Sequence, residues 1–194
     1  MDNKTRSRTK AAASLIALFL IVGLLVFAGQ DAKGAQGPMG KAPASISMEH
    51  IRDFAGKVHP IVLHFPISLI LTTLLAEILG LISGKPIFFQ TARFTLILAA
   101  LSVVFTVPLG WAAAVSKEYP DDYARILWLH RWFGTTTGVL TIFAACLSEL
   151  SHFRRERAGI RMAYRIALVA ASATVTFTGH FGALLVYGIN YFSE

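Results

Sequence analysis

The chain has 194 residues, of which 55% are hydrophobic and only 15% are charged. In soluble domains about a quarter of the residues are charged, so the composition excludes a soluble globular enzyme as the default interpretation. The net charge of +7 suits a nucleic-acid partner, but the basic residues lie in short loops between apolar segments and form no continuous basic face. One cysteine, Cys146, excludes an internal disulfide, a CxxCH haem attachment and a zinc finger.

Five segments are almost free of charge: 11–30, 61–84, 94–116, 126–148 and 166–190. About 20 apolar residues in a helix cross a hydrocarbon core of about 30 Å. The sequence therefore predicts an all-α integral membrane protein. Because the connections between the last four segments are short, neighbouring helices must be antiparallel, which predicts an up-down four-helix transmembrane bundle over residues 59–194.

The N-terminal region precedes this bundle. Basic residues followed by an uncharged run predict a signal anchor or a cleaved signal peptide over residues 1–28, and the length of the run favours the anchor. Residues 29–46 are rich in Gly, Ala and Pro and predict a flexible extracytoplasmic tether. Residues 47–58 have helical apolar spacing with Ser47 as N-cap, which predicts either an interfacial amphipathic helix or an exposed linker helix.

The distribution of Lys and Arg predicts the orientation. If the N-terminus is cytoplasmic, the inner segments 1–10, 85–93 and 149–165 hold most of the basic residues in the loops. Basic residues concentrate on the cytoplasmic side of membrane proteins. We therefore expect a multi-pass protein of a bacterial cytoplasmic membrane, with the N-terminus inside and the C-terminus outside. Aromatic residues gather at the predicted outer end, as in an interfacial belt.

Histidines are concentrated at the same outer end. His64, His130 and His180 lie in three of the four bundle helices and at comparable depth. Ionisable residues within a span usually face the bundle interior or a cavity. Three imidazoles in one layer suggest a site for haem iron, copper or zinc, or a proton relay.

The predicted geometry favours haem b. The helices of His64 and His130 are diagonal neighbours in an up-down bundle, so these side chains are the expected axial ligands, with His180 as the alternative. Gly134 and Gly138 follow His130 at helical spacing and either leave room for a macrocycle or pack against a neighbouring helix. Arg131 either binds a propionate or extends to the interface.

Two further residues have alternative interpretations. His59 is interpreted as a ligand, as a group that hydrogen-bonds to a ligand, or as an interfacial residue. The interfacial role is favoured, because His59 lies about 140° around the helix from His64 and the two side chains cannot both point inward. Glu77 serves proton uptake at a quinone site or pairs with a cytoplasmic arginine, and pairing is favoured.

Three motifs resemble a known family. They are HPxxxHFP at His59–Pro66, HRWxG from His130 to Gly134, and GHFG at 179–182. Over residues 50–192 the chain resembles the family of unknown function numbered 2231, bacterial four-span membrane domains. Relatives fused to c-type cytochrome or Rieske domains imply a redox setting outside the cytoplasmic membrane. This chain departs from that type at Tyr187, where the cytochrome-fused relatives carry another histidine.

These features together predict a cytochrome b-like electron-transfer subunit more readily than a stand-alone enzyme. It would hold one haem b near the outer face and link the quinone pool to an extracytoplasmic partner. The expected partners are membrane lipid and a separate c-type cytochrome, a Rieske-type protein or a larger membrane complex, with no nucleic acid. The alternatives are a non-redox scaffold or assembly subunit and a copper- or zinc-handling protein that uses the same histidines.

Overall fold

The computed structural model describes residues 48–115, 119–153 and 158–191, which form five α-helices. These are α1 (Met48–Val62), α2 (His64–Ser83), α3 (Pro86–Val115), α4 (Asp121–Phe153) and α5 (Ala158–Tyr187). The predicted signal anchor at 1–28 and the tether at 29–46 lie outside the described residues. The described part of the chain contains no strand, so the all-α prediction is confirmed there.

Helix α1 begins within the segment predicted as an interfacial helix and continues to Val62, where it meets α2 almost without a break. Leu63 keeps helical dihedral angles, and its amide donates to the carbonyl of His59 at 3.0 Å. The interruption has a covalent cause, because Pro66 has no amide hydrogen to donate to the carbonyl of Val62 four residues earlier. Despite this interruption, residues His50–Ser83 form one long apolar helical stretch.

Four helical stretches are long and apolar enough to cross a membrane: His50–Ser83, Pro86–Ala114, Asp121–Phe153 and Ala158–Tyr187. This confirms the prediction of four bundle spans. Many of their large apolar side chains are exposed on the outside of the bundle, among them Leu75, Phe94, Phe105, Val139 and Val169. An apolar exterior of this kind suits a lipid solvent.

Side-chain contacts define the order of the helices in the bundle. Each of the four helix interfaces contains a polar pair. The pairs are Thr73 with Thr95 (α2–α3), Arg93 with Glu149 (α3–α4), Thr137 with Thr174 (α4–α5) and Arg165 with Glu77 (α5–α2). Each pair joins the early part of one helix to the late part of its neighbour, or joins positions nearer the middle of both. The helices are therefore antiparallel to their neighbours in an up-down arrangement, and α2 and α4 lie diagonally opposite.

The interior of the bundle is built from small and hydroxyl-bearing residues. Ala99 and Ala144 are fully buried, so the backbones approach closely, as in other membrane helix pairs. The buried hydroxyls of Thr73 and Thr141 donate to carbonyls four residues earlier in their own helices, Leu69 at 2.7 Å and Thr137 at 2.7 Å. These hydroxyls therefore enter the core without leaving an unpaired donor.

One end of the bundle contains the buried charges, and we call it the ion-pair end. Arg165 Nε donates to Glu77 Oε1 at 2.8 Å, and the Tyr164 hydroxyl donates to Glu77 Oε2 at 3.1 Å. The Glu77 side chain is only 7% exposed, so its charge depends on these two partners. The prediction that Glu77 pairs with an arginine is thus confirmed. Arg93 forms a second pair with Glu149 at this end, through two bonds of 2.6 Å.

Loss of the Glu77 carboxylate should destabilise the bundle. In Glu77→Gln the Arg165 guanidinium loses its counter-charge in a largely apolar surrounding, and we expect the free energy of unfolding to fall by about 3 kcal/mol. Tyr164→Phe removes one hydrogen bond and no charge, so its loss should be about 1 kcal/mol. Unfolding of the detergent-purified protein measures both, and a Glu77→Gln variant as stable as the wild type would contradict this account.

Candidate functional site

The opposite end of the bundle, which we call the histidine end, brings two imidazoles together. His59 lies late in α1 and His130 lies in the third turn of α4. Their ring centroids are 6.4 Å apart, and the ring planes meet at 81°. Both residues are partly buried. The contact therefore joins the α1–α2 stretch to the diagonally opposite helix.

His130 is held by α5. Its Nδ1 lies 2.9 Å from the carbonyl oxygen of Thr178, and because a carbonyl only accepts, Nδ1 carries the hydrogen. In a neutral imidazole the lone pair then belongs to Nε2. A Cβ placed on Gly182 would lie 3.1 Å from His130 Cε1, so the glycine leaves the space that this ring occupies. Phe133 packs one turn further on, against Phe177 and Phe181.

His59 is seated in a similar way on α3. A Cβ placed on Gly110 would lie 2.8 Å from His59 Cε1, closer than real Cβ contacts allow. The ring therefore rests directly on the backbone of α3. Its Nδ1 is buried and meets no partner with full hydrogen-bond geometry, and the backbone of Thr106 on α3 is the polar group that interacts with the ring. A buried, unpaired ring nitrogen is uncommon in native proteins and calls for an explanation, such as a functional role.

The other two predicted ligands lie elsewhere. His64 is exposed, and its Nδ1 is 2.9 Å from the carbonyl oxygen of Pro60 in the preceding turn. His180 is also exposed and stands beside Phe181, with ring centroids 5.7 Å apart. The structure thus brings His59 to His130, although the sequence favoured His64 for this position and an interfacial role for His59.

The two glycines that follow His130 serve helix packing. A Cβ on Gly134 would lie 3.4 Å from Thr178 Cγ2 on α5, and one on Gly138 would lie 3.1 Å from Val107 Cγ2 on α3. Of the two roles considered for these glycines, the contacts support close approach of α4 to both neighbours. The space that the two imidazole rings themselves occupy comes from Gly110 and Gly182 on the flanking helices.

Arg131 points away from the imidazole pair, toward α3. Its guanidinium carbon lies 3.7 Å from the centre of the Trp111 ring, in a cation–π contact. Trp111 is itself fixed, because its Nε1 donates to the hydroxyl of Thr135 at 3.0 Å. Trp132 packs edge-on against Trp111 with ring centroids 5.9 Å apart, and Trp128 lies 6.4 Å from Trp132.

The separation of the two ring centroids is close to that of two histidines that bind one metal. Two imidazoles that bind one metal from opposite sides have ring centroids about 6 Å apart, since each metal–nitrogen bond is about 2 Å long. A hydrogen bond from the other ring nitrogen to a carbonyl, as in His130, is usual behind a metal-binding histidine. The described residues contain no group of three or more His, Cys, Asp or Glu side chains suited to a metal ion.

Sequence reasoning missed Gly110 and the Thr178 carbonyl. Gly110 was open to prediction, because it and His59 are equally distant from the turn at Gly84 and Lys85, and antiparallel helices bring such residues face to face. The same counting relates Thr73 to Thr95 to within one residue, and their hydroxyl oxygens are 2.8 Å apart. The Thr178 carbonyl had no such signal, since every helical residue has a carbonyl.

A methyl group at position 110 should displace the His59 ring. We expect Gly110→Ala to lower the thermal midpoint of the detergent-purified protein, despite the better helix propensity of alanine, because the new Cβ overlaps the ring. Gly179→Ala is the matched control, since a Cβ there meets no atom within 4 Å. Equal midpoints for the two variants would show that His59 does not rest on Gly110.

Comparison with known proteins agrees with the motifs. A family model described as "Predicted membrane protein (DUF2231)" matches residues 56–191, which include His59, His130 and all of α2 to α5. Neither the curated proteins nor the solved structures gave a match to this chain. The family match covers well over half of the sequence and confirms the resemblance suggested by the motifs. The chain therefore belongs to the DUF2231 family of predicted membrane proteins.

Proposed function

We propose that this protein is a membrane electron-transfer subunit that would hold one haem b at the histidine end through His59 and His130. The observation that carries the proposal is the pair itself. Two partly buried imidazoles from diagonally opposite helical stretches lie 6.4 Å apart, and one of them has an unpaired buried nitrogen. The ligand pair differs from the His64–His130 pair expected from sequence, because His64 is exposed.

Haem fits this donor set better than zinc does. A structural zinc site takes four protein ligands and a catalytic site takes three. A haem iron obtains four nitrogens from its macrocycle and needs two from the protein. The described residues provide a pair of imidazoles and no larger cluster of ligands. Copper(I) favours cysteine or methionine sulfur, and copper(II) takes tetragonal nitrogen and oxygen sites with more donors than this pair. The chain has one cysteine, Cys146, located far along α4 from His130.

Each neighbouring residue then has a defined task. The carbonyl of Thr178 fixes the tautomer and orientation of His130, which determines the nitrogen that faces a metal. Gly110 and Gly182 remove side-chain bulk on the helices that flank the pair. Phe133, one turn after His130, packs against Phe177 and Phe181 and adds apolar surface on this side of the bundle. When bound, the haem supplies one-electron redox chemistry, and the protein tunes it through ligation and burial.

The membrane setting gives this chemistry a direction. From the distribution of basic residues we infer that the histidine end faces the extracytoplasmic side of a bacterial cytoplasmic membrane. With haem held there, the protein would link the quinone pool to an extracytoplasmic partner, such as a c-type cytochrome or a Rieske-type protein, or would serve within a larger membrane complex. The aromatic residues at this end support an interfacial position, since Trp and Tyr favour the membrane–water boundary.

Histidine substitutions test the ligand pair. We expect His130→Ala and His59→Ala to lose the reduced-minus-oxidised haem spectrum of the purified protein, with the bundle still inserted, because each removes one of two axial ligands. His64→Ala and His152→Ala are matched controls that should retain it, since both side chains are exposed.

The outcomes separate the competing functions. Full haem content in both His59→Ala and His130→Ala would contradict the proposal. Loss in His64→Ala with retention in His59→Ala would restore the pair expected from sequence. A colourless wild-type protein that folds well in the presence of ample haem would favour a scaffold or a metal-handling role, and metal analysis would then distinguish these two.

A further inference from the structure

A groove of about 310 Å³ opens on the outside of the histidine end, between α3 and α4. Its walls are largely aromatic, and its one charged side chain is Arg131. The lining residues are Trp111, Ala124, Leu127, Trp128, Arg131 and Trp132. Trp128 and Trp132 are 60% and 43% exposed, so the groove faces the surroundings of the bundle and not its interior.

Arg131 is held in this groove with part of its hydrogen-bonding capacity unused. One face of the guanidinium lies on Trp111, and the Trp111 ring is anchored by Thr135. Arg131 Nε is buried and has no hydrogen-bond partner. An arginine that only extended to water would not bury this nitrogen, so ordinary extension to the interface does not account for the conformation.

The chemistry of the group defines its ligand. Arginine is always protonated and only donates, so the missing partner must be an acceptor and is best negatively charged. Stacking on Trp111 uses a face of the guanidinium, whereas phosphate and carboxylate oxygens bind a guanidinium through its N–H edges. None of the six lining residues is acidic, so the groove offers no internal counter-charge.

We propose that this groove binds the phosphate of an anionic phospholipid headgroup. The site lies within candidate spans and close to their ends, since α3 ends four residues after Trp111. That level is where a lipid phosphate meets a membrane protein, whereas a free phosphate would have to leave water for an aromatic groove. Leu127 and the exposed rings of Trp128 and Trp132 supply the apolar surface that the glycerol and upper acyl chains contact.

This site is distinct from the haem proposal and does not depend on it. His130 and Arg131 are consecutive in α4 and therefore point about 100° apart. The imidazole contacts α5 and His59, while the guanidinium contacts α3. A haem propionate is the other source of an anionic oxygen. Binding of a propionate would give a different result for the variant Arg131→Gln.

Native mass spectrometry of the full-length protein in detergent tests the proposal, with phosphatidylglycerol and phosphatidylcholine of identical acyl chains as probes. We expect one phosphatidylglycerol to bind more tightly than phosphatidylcholine. Arg131→Gln should weaken its binding about tenfold, the value of one charge-assisted hydrogen bond. Arg125→Gln, which removes an exposed arginine two turns earlier in α4, should leave the preference unchanged. Trp128→Ala retains the charge, removes an aromatic wall and should weaken both lipids.

Three results would overturn the proposal. In the first, the preference for phosphatidylglycerol persists in Arg131→Gln. In the second, inorganic phosphate alone competes fully with the lipid, which identifies a free-phosphate site. In the third, Arg131→Gln loses haem absorbance while its lipid titration is unchanged, which assigns Arg131 to a propionate. Helical circular dichroism verifies folding, and if Arg131→Gln does not fold, an unchanged lipid titration in Trp128→Ala is the overturning result.

Discussion

The arrangement depends on one constraint, which is that a polar atom inside an apolar bundle must find its partner within the protein. Most of the chain obeys it: the hydroxyl of Thr141 bonds to its own helix, and Glu77 is paired with Arg165 and Tyr164. Among the described residues, two buried side-chain atoms have no such partner, His59 Nδ1 and Arg131 Nε. Both lie at the histidine end. The polar groups of the ion-pair end stabilise the bundle, whereas those of the histidine end retain capacity for a ligand.

Glycine is the second means by which the chain prepares this end. Within a helix a glycine costs about 1 kcal/mol relative to alanine, so its presence needs a compensating contact. At Gly110 and Gly182 that contact is an imidazole ring, which occupies the volume of the missing side chain. At Gly80, near the other end, Phe89 fills the corresponding space, since a Cβ placed on this glycine would lie 2.8 Å from the Phe89 ring. One packing device therefore serves stability at one end and places the histidines at the other.

The fold was largely predictable from sequence, because charge-free segments of membrane-spanning length and short loops leave few alternatives to an antiparallel bundle. The pairing of His59 with His130 was not. The predicted span began at residue 61, which put His64 in its first turn, but the helix runs continuously from Met48 to Val62 and already includes His59. The two histidines differ by about 140° around a helix, so the choice depends on its rotation, and Pro60 and Pro66 disturb that rotation locally. Arg131 presented no such difficulty, because its angle from His130 follows from adjacency alone.

Helix α4 connects the two unsatisfied atoms, since Arg131 carries one of them and the neighbouring His130 contacts the His59 ring that carries the other. Its rotation determines where both point, and contacts on two sides fix that rotation. Thr135 accepts the Trp111 indole hydrogen from α3, and the Thr137 hydroxyl lies 3.0 Å from that of Thr174 on α5. These two threonines are about 200° apart around α4 and contact different neighbours. Rotation of α4 about its axis in either direction would therefore break the contacts with Trp111 and Thr174. The imidazole is thereby directed to the bundle interior and the guanidinium to its lipid-facing groove, and neither can be reoriented by helix rotation without the other.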